Sequence, residues 1–436
     1  MRTLLGVAST RVAARLVSGA AETPLEAFRA DHCEAPFHAP PVIGLYFLLG
    51  PVLSVSIVYL PPLLKGLGLS GSQIGLSLGI QSIVGMVMPM LWGYVADRTH
   101  RPLRTMRVLL ALAGVALVLP LCATRRVALI ACIPLFGAFF QGVTPIFDGL
   151  VMNRAPPQKF MMLRAFYIVG SFCGLSLYGR TLSAAPLELR YAVIFLQACL
   201  ALSLVGSLGL RDSRAVSVGR RINLRELGAL LSNWSLLRWL LPISILLASQ
   251  GPFDALLAIY AGDLGLPSHT AGDAYTVALF AEALFMFAST RFGWNDAMLQ
   301  QRRAALTLTV VALLTGVRWW LTAVVHDPVG LVALQGAHAL TGGLTFVVLI
   351  GLLREVVPAH QRATGQAVMM VWVMLGLMIG QAGGGKIYDH WGAAGAFKAA
   401  AGTSVLAALL FAAGMFGRRP DAKGASSDAL AAPIAS

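Results

Sequence analysis

A few charged side chains interrupt otherwise apolar stretches of this sequence, and they are the residues most capable of chemistry. Within segments of about twenty apolar residues, or at the ends of such segments, the sequence places Asp148, Arg164, Asp254, Glu282, Arg318 and His338. Holding an ionisable group inside a lipid bilayer is costly unless the group is paired or hydrated. We therefore expect these residues to bind a solute or a proton, or to pair with one another.

Three of these groups are candidates for proton coupling, namely Glu282, Asp254 and His338. Asp254 follows Gly251-Pro252, a pair expected to break a helix and to expose backbone carbonyls toward a cavity. Protonation would neutralise a buried carboxylate and so allow a loaded cavity to reorient. The alternatives are structural: Glu282 would pair with Arg318, and His338 would make an interhelical hydrogen bond.

Basic and aromatic residues beside these groups are candidates for holding a solute. An arginine binds carboxylates and hydroxyl-bearing groups through several N–H donors, which favours Arg164 and Arg318 as solute ligands. Trp319 follows Arg318 directly, and its indole would stack on an aromatic or sugar ring. The alternative for Trp319 is contact with lipid or with the membrane interface.

Other kinds of chemistry have no visible motif. The sequence contains no GxxxxGK[ST] and no HExxH, and its five cysteines show no CxxC or Cys/His spacing. ATP-driven transport and familiar hydrolase chemistry are therefore not expected. We expect no metal site and no cofactor.

The elements that position these residues follow from composition. The chain has 436 residues, of which 57% are hydrophobic and only 12% charged, whereas soluble domains are about a quarter charged. Windows long enough to cross a membrane recur twelve times, so the sequence predicts an all-α integral membrane protein with twelve transmembrane helices. They lie near 43–64, 72–96, 106–123, 127–152, 163–183, 189–209, 238–261, 270–292, 304–324, 329–354, 363–386 and 393–416.

The two halves of this pattern resemble one another. Gly50-Pro51 in the first window matches Gly251-Pro252 in the seventh, and Leu67-Gly68-Leu69 matches Leu264-Gly265-Leu266. Such parallel repeats are one known transporter design, with the substrate site at their interface. The sequence therefore predicts two pseudo-symmetric six-helix bundles.

The remaining segments give the domain boundaries. The predicted bundles cover 42–209 and 238–417, and the polar segment 210–237 links them. Residues 1–41 form an N-terminal extension, expected to be disordered or a surface helix, and 418–436 form a disordered tail.

The basic residues predict the orientation of the chain in the membrane. Of the 33 lysines and arginines, 21 lie on the side of the linker and tail and seven in the opposite loops. Because basic loops stay in the cytoplasm, both termini are expected there. The net charge of +14 is thus mostly a topology signal, and no nucleic-acid partner is expected.

A loop between the second and third windows carries a family resemblance. Gly93-Tyr94-Val95-Ala96-Asp97-Arg98, followed by Arg101, resembles the loop signature of the major facilitator superfamily. The resemblance implies that Gly93, Asp97, Arg98 and Arg101 latch the cytoplasmic side shut. This sequence departs from the signature at His100, where the family usually has glycine, and at Pro102.

The second half carries a closer resemblance. Glu282, Arg318-Trp319 and the segment from Gln335 to Thr341 are similar to the phenylpropionate-permease and lactose-permease-like branch of that superfamily. The resemblance implies that the glutamate, the arginine and His338 line the path of substrate and proton. It also implies that Asp148 and Arg164 hold substrate. Thr341 stands where lactose-permease-like sequences have the proton-carrying glutamate, so a different carboxylate must carry the proton.

Together these features predict a permease rather than an enzyme. We expect a monomer in the bacterial inner membrane that imports a small organic solute, such as an aromatic acid, a sugar or a nucleoside, by proton symport with alternating access. The nearest alternative is proton-coupled efflux of drugs or metabolites. A non-transporting membrane sensor or assembly protein on the same fold is a second alternative, and a membrane enzyme ranks third.

Overall fold

The computed structural model of the protein describes residues 39–123, 125–152, 154, 157–182, 189–210, 234–291, 301–357 and 362–416. The predictions for the N-terminal extension, the linker and the tail fall almost entirely outside these residues.

The described chain is built from long apolar helices, which we call spans 1 to 12. Span 1 is Ala39–Gly66, span 2 Gly71–Thr99, span 3 Pro102–Cys122, span 4 Arg126–Phe140 with Val143–Met152, span 5 Pro157–Leu182 and span 6 Leu189–Leu208. Span 7 is Trp234–Ala248 with Gly251–Asp263, span 8 His269–Arg291, span 9 Gln301–Val324, and span 10 runs from Pro328–Leu334 to Thr345–Val356. The last helix, Arg362–Phe416, contains spans 11 and 12.

Eleven helices of the described residues are long and apolar enough to cross a membrane. The last of them has non-helical backbone at Gly392, with φ 68° and ψ −179°, and this residue divides it into 362–391 and 393–416. The predicted twelve-span, all-α fold is confirmed. Helices are the expected solution because lipid offers no partner for backbone N–H and C=O groups.

Local sequence signals explain where the helix boundaries around span 2 fall. Ser70 caps its N-terminus in a capping box with Gln73, which satisfies two orphan backbone donors. His100 ends it in the left-handed conformation, with φ 52° and ψ 25°, a geometry that favours glycine. Pro102 occupies the first turn of span 3, where no backbone donor is lost.

Packing between the spans follows the predicted internal repeat. In the first half span 1 packs on span 5, span 3 on span 6, and span 2 on span 4. In the second half span 7 packs on span 11, span 9 on span 12, and span 8 on span 10. Each pair of the second half is the pair of the first half with six added, as a pseudo-twofold arrangement of two bundles requires.

Glycines lie at a close contact between two spans in each bundle. A Cβ at Gly170 of span 5 would overlap the backbone of Phe47, and one at Gly380 of span 11 would overlap the backbone of Ala248. These glycines therefore allow two spans to approach closely. Gly383 is different, because a Cβ there would meet nothing within 4 Å.

Two faces of the protein can be defined from the loops. The linker face carries the loops after even-numbered spans, and the distal face carries the loops after odd-numbered ones. The bundles meet where span 2 packs on span 11, span 5 on span 8 and span 1 on span 7. Among the described residues, the cross-bundle hydrogen bonds and ion pairs lie from mid-span to the distal face. The bundles are therefore closed at the distal face.

Candidate functional site

A buried arginine organises the polar centre of the second bundle. Arg318 of span 9 is 1% exposed. Its Nε and Nη2 donate to Gln335 Oε1 at 3.1 and 2.6 Å. Its Nη1 lies 2.9 Å from both Thr341 Oγ1 and His338 Nδ1. Gln335, His338 and Thr341, all from span 10, therefore surround one guanidinium group.

Irregular backbone in span 10 brings those three side chains to Arg318. A 3₁₀ turn covers Gln335–Ala337 and a π-helical turn covers Ala339–Leu344. π-turns inside helices are frequent at functional sites. Gly342 lies within the π-turn, and a Cβ there would come within 2.8 Å of the His338 ring. This irregularity was not predicted from the sequence, in which the adjacent pair Gly342-Gly343 is its local signal.

Two aromatic rings complete the surroundings of the guanidinium. Its central carbon lies 4.2 Å from the ring centroid of Trp319 and 5.0 Å from that of Phe253, distances suited to cation–π attraction. Trp319 Nε1 donates to Ser249 Oγ at 3.2 Å, and the indole is fully buried. In this structure Trp319 therefore supports Arg318 and presents no face to a solute.

Glu282 of span 8 pairs with His338 and not with Arg318. Its Oε2 lies 3.4 Å from His338 Nε2, and the side chains of Glu282 and His338 are 25% and 16% exposed respectively. Because arginine can only donate, His338 Nδ1 accepts from Arg318, and a neutral imidazole then carries its proton on Nε2, facing Glu282. The pairing of Glu282 with Arg318, considered from sequence, is not what the structure shows.

Asp254 lies where span 7 is interrupted, as the Gly251-Pro252 pair predicted. The helix ends at Ala248 and resumes at Gly251, which places Asp254 in the first turn of the second segment. Tyr275 of span 8 donates to Asp254 Oδ1 at 3.4 Å and to the Phe253 carbonyl at 3.0 Å.

The first bundle holds a second polar centre. Arg164 Nε donates to Asp148 Oδ2 at 2.9 Å, and Tyr46 of span 1 donates to Asp148 Oδ1 at 2.7 Å. Span 4 bends at Gln141, and its second helix, Val143–Met152, carries Asp148. The Arg164 side chain is 47% exposed. The structure thus brings together the two residues predicted from sequence and adds Tyr46 as an orienting partner.

The predicted latch residues lie on the linker face without closing it. Asp97 is exposed, Arg98 Nη1 donates to Tyr94 at 3.1 Å, and Arg101 precedes the first turn of span 3. A Cβ at Gly93 would meet nothing within 4 Å. Among the described residues, the hydrogen bonds of the latch segment stay within the first bundle, which agrees with closure at the opposite face.

Closure of the distal face depends on residues that were not predicted from the sequence as functional. Lys65 Nζ lies 2.5 Å from Asp263 Oδ1, and Tyr388 donates to the same carboxylate at 2.8 Å. Asp389 accepts the backbone N–H groups of Gly71 and Ser72 at 2.6 and 2.8 Å. An acid at the N-terminus of span 2 is favourable because the helix dipole is positive there.

A metal centre is not evident. In the part of the chain that the structure describes, no three His, Cys, Asp or Glu residues are grouped to hold an ion. The polar centres instead combine charges with neutral donors and acceptors.

Comparison with known proteins identifies the family. The profile of the MFS_1 like family matches residues 42–399. The chain belongs to this family of the major facilitator superfamily. The match starts in span 1 and ends in span 12, so it covers both bundles and both polar centres.

The relatives of this family member are transporters. The maltose permease of Geobacillus stearothermophilus is 24% identical over 364 residues, covering 80% of this chain and 86% of the permease. The crystal structure of the nucleoside transporter NupG matches with a TM-score of 0.74 at 19% identity, covering 87% of this chain and 99% of that one. A bacterial homologue of the lysosomal transporter Spinster, inward-facing and unoccupied, gives 0.62 at 16% identity, covering 91% and 96%. The protein is therefore a membrane transporter, not an enzyme.

Proposed function

We propose that this transporter imports a small hydroxylated solute, of the sugar or nucleoside class, together with a proton. The observation that carries the proposal is the series of contacts from Arg318 through His338 to Glu282. These residues lie on spans 9, 10 and 8, and Glu282 and His338 remain partly exposed. A carboxylate held in mid-membrane by a neutral imidazole is an acceptor for solute hydroxyl groups.

The number of free donors and acceptors favours a hydroxylated solute over an aromatic acid. The donors of Arg318 are occupied by Gln335, His338 and Thr341, so this arginine has little capacity for a solute carboxylate. Glu282 and Asp148 offer acceptor oxygens, and Arg164 has both Nη groups left after its bond to Asp148. The names of two relatives, a maltose permease and a nucleoside transporter, agree with this class.

We assign the proton to Asp254, since Thr341 replaces the glutamate expected of lactose-permease-like sequences. Asp254 accepts a hydrogen bond from the neutral hydroxyl of Tyr275 and has no ion pair within 4.0 Å among the described residues. A carboxylate without a direct counter-ion can become neutral without leaving a partner charge exposed. Glu282 and His338 then serve mainly to bind solute, and alternating access moves both cargoes.

Transport in proteoliposomes tests the proposal. Purified protein should accumulate a labelled sugar or nucleoside when the lumen is alkaline, and an uncoupler should abolish the accumulation. Asp254→Asn should lose accumulation but retain solute exchange at equal concentrations, because the neutral amide mimics a protonated acid. Glu282→Gln should raise the KM for both processes. Failure of every sugar and nucleoside to move, or accumulation by Asp254→Asn, would contradict the assignment.

Efflux is the alternative within the same fold, and the direction of the gradient separates the two. A symporter accumulates solute in vesicles with an alkaline lumen, whereas a proton-coupled exporter in inside-out vesicles accumulates it when the lumen is acidic. A protein without transport in either configuration would revive the sensor or assembly interpretation.

We also propose that the linker 210–237 and the tail lie in the cytoplasm of a bacterial cell, with the protein monomeric in the inner membrane. The excess of basic residues on the linker face supports this orientation. Gly93, Asp97, Arg98 and Arg101 would then latch the cytoplasmic face when the distal face opens. Thiol labelling of cysteines placed on the two faces of intact cells tests the orientation.

A further inference from the structure

The break in span 7 brings an aromatic ring to the polar centre of the second bundle. Phe253 lies in the first turn of the segment that begins at Gly251, and it is 4% exposed. Its carbonyl accepts the hydroxyl of Tyr275 at 3.0 Å, and the two rings stack with their centroids 4.4 Å apart. A hydrogen bond and a ring contact therefore join spans 7 and 8 at Phe253.

The ring of Phe253 also stacks on the imidazole of His338. The centroids are 5.9 Å apart and the planes differ by 20°, a separation at which ring pairs attract one another. His338 Nδ1 lies 2.9 Å from Arg318 Nη1, whereas Nε2 lies 3.4 Å from Glu282 Oε2, longer than the usual N–H···O distance of about 3 Å. Glu282 therefore holds the imidazole weakly, and the stack on Phe253 contributes to fixing its plane.

The internal repeat does not require an aromatic ring at this position. Because Gly50-Pro51 matches Gly251-Pro252, the counterpart of Phe253 in the first bundle is Val52. Span 1 continues as one helix through its proline, and Val52 is fully buried there. A valine thus fills this position where the helix is uninterrupted, and the ring of Phe253 accompanies the break in span 7.

We propose that Phe253 is a positioning residue that keeps the imidazole of His338 turned toward Glu282. The χ2 torsion of a histidine has only a broad, two-fold preference, so contacts must select one orientation of the ring. Stacking on Phe253 favours the plane in which Nδ1 accepts from Arg318 and Nε2 faces Glu282. Phe253 is itself too deeply buried to touch a solute, so it acts on solute binding through His338.

This inference rests on the proposed function in taking Glu282 and His338 as solute ligands, yet the orientation of His338 can be measured without any solute. Protein labelled with ¹⁵N-histidine, in nanodiscs at about pH 8 where imidazole is neutral, gives nitrogen shifts that show which ring nitrogen carries the proton. The His338 signals are those missing from His338→Gln. Nε2 should carry the proton in the wild type, and Phe253→Leu should shift both signals toward a mixture of the two tautomers. Phe253→Met, whose flexible side chain fills irregular gaps, takes the place of Phe253→Leu if that variant does not purify.

Solute exchange at equal concentrations gives a second readout, with labelled maltose and labelled uridine as the probes. Phe253→Leu should raise the KM of the exchanged probe about fivefold, the size expected for one stacked aromatic pair, with little change in kcat. The same substitution should have no further effect in a His338→Gln protein, because the effects of residues that act through one another are not additive.

Phe397→Leu is the matched control for loss of a buried ring. Phe397 is fully buried in the same bundle and stacks on Trp319 with centroids 5.9 Å apart, so its removal leaves the stack of Phe253 on His338 in place. This variant should lower the Tm but keep the wild-type tautomer of His338 and the wild-type KM.

The outcomes separate this inference from the proposed function. A wild-type tautomer in Phe253→Leu would overturn the positioning role, and so would equal tautomer changes in Phe253→Leu and Phe397→Leu. An increase in KM as large in the His338→Gln protein as in the wild type would also overturn it. Failure of both probes to exchange, together with the expected tautomer change, would refute the proposed solute class and support the positioning role.

Discussion

Gln335 offers the sharpest test of how the buried guanidinium is stabilised. Its Oε1 accepts two N–H groups of Arg318, whose side chain is almost completely buried. Gln335→Leu keeps the size of the side chain and removes the acceptor, so Nε and Nη2 of Arg318 lose their partner in a place that water does not reach. Gln335→Glu keeps an acceptor at the same point and adds a negative charge.

The magnitude follows from those two bonds. A hydrogen bond to a charged group contributes about 1.5–3 kcal/mol, and breaking a buried charged pair costs about 3–5 kcal/mol. We expect Gln335→Leu to lower the free energy of unfolding by about 4 kcal/mol. If the second bundle unfolds as a unit, the Tm falls by about 10 °C, since each kcal/mol shifts Tm by about 2–4 °C in domains near that size.

Thermal unfolding in detergent, followed by a thiol-independent probe such as intrinsic fluorescence, measures these shifts. Gln197→Leu is the matched control, because Gln197 donates to the neutral Gly114 carbonyl in the first bundle. Its loss should cost about 1 kcal/mol. Gln335→Glu should stay near the wild-type Tm because it can pair with Arg318. Equal Tm values for Gln335→Leu and Gln197→Leu would refute the view that Gln335 stabilises a buried charge.

Three further predictions use other parts of the molecule. Gly380→Val should prevent recovery of folded protein because the new side chain would overlap the Ala248 backbone. The control Gly383→Val has open space around it and should purify at wild-type yield. Equal yields of the two variants would contradict the close packing of spans 7 and 11. Tyr46→Phe removes the hydrogen-bond donor to Asp148. The KM for solute should rise about fivefold, as loss of about 1 kcal/mol predicts, with little change in kcat. An unchanged KM would show that Tyr46 does not orient the site. His100→Gly relieves a left-handed conformation and should raise the stability by about 1 kcal/mol, and a lower Tm would argue against strain at this turn.

Much of the fold was predictable from sequence because the membrane limits the possible structures. Span 8 was predicted at 270–292 and runs over His269–Arg291, and the break in span 7 was predicted from Gly251-Pro252. Both follow from local rules, namely the length of an apolar helix and the missing donor of proline. The irregular turns of span 10 were not predicted, since they depend on how Gln335 and His338 meet Arg318 on a different span.

The candidate site was predictable only in part. Charged residues such as Glu282 and Arg318 stand out in an apolar window because each is costly there. Ser249 and Tyr275 carry no charge, so nothing in the sequence separates them from other polar residues in the spans. Their roles became visible only through contacts of span 7 with spans 8 and 9.

The sequence by itself determined which groups enter the membrane, how many times the chain crosses it, and that the two halves repeat. These properties depend on the apolar length of each segment and on the distribution of basic residues. The tertiary structure decided the partners: Glu282 with His338, Arg318 with Gln335 and Thr341, and Asp254 with Tyr275. The physical reason is that a hydrogen bond requires its two atoms to lie about 3 Å apart, and only the packing of spans distant in sequence sets those separations.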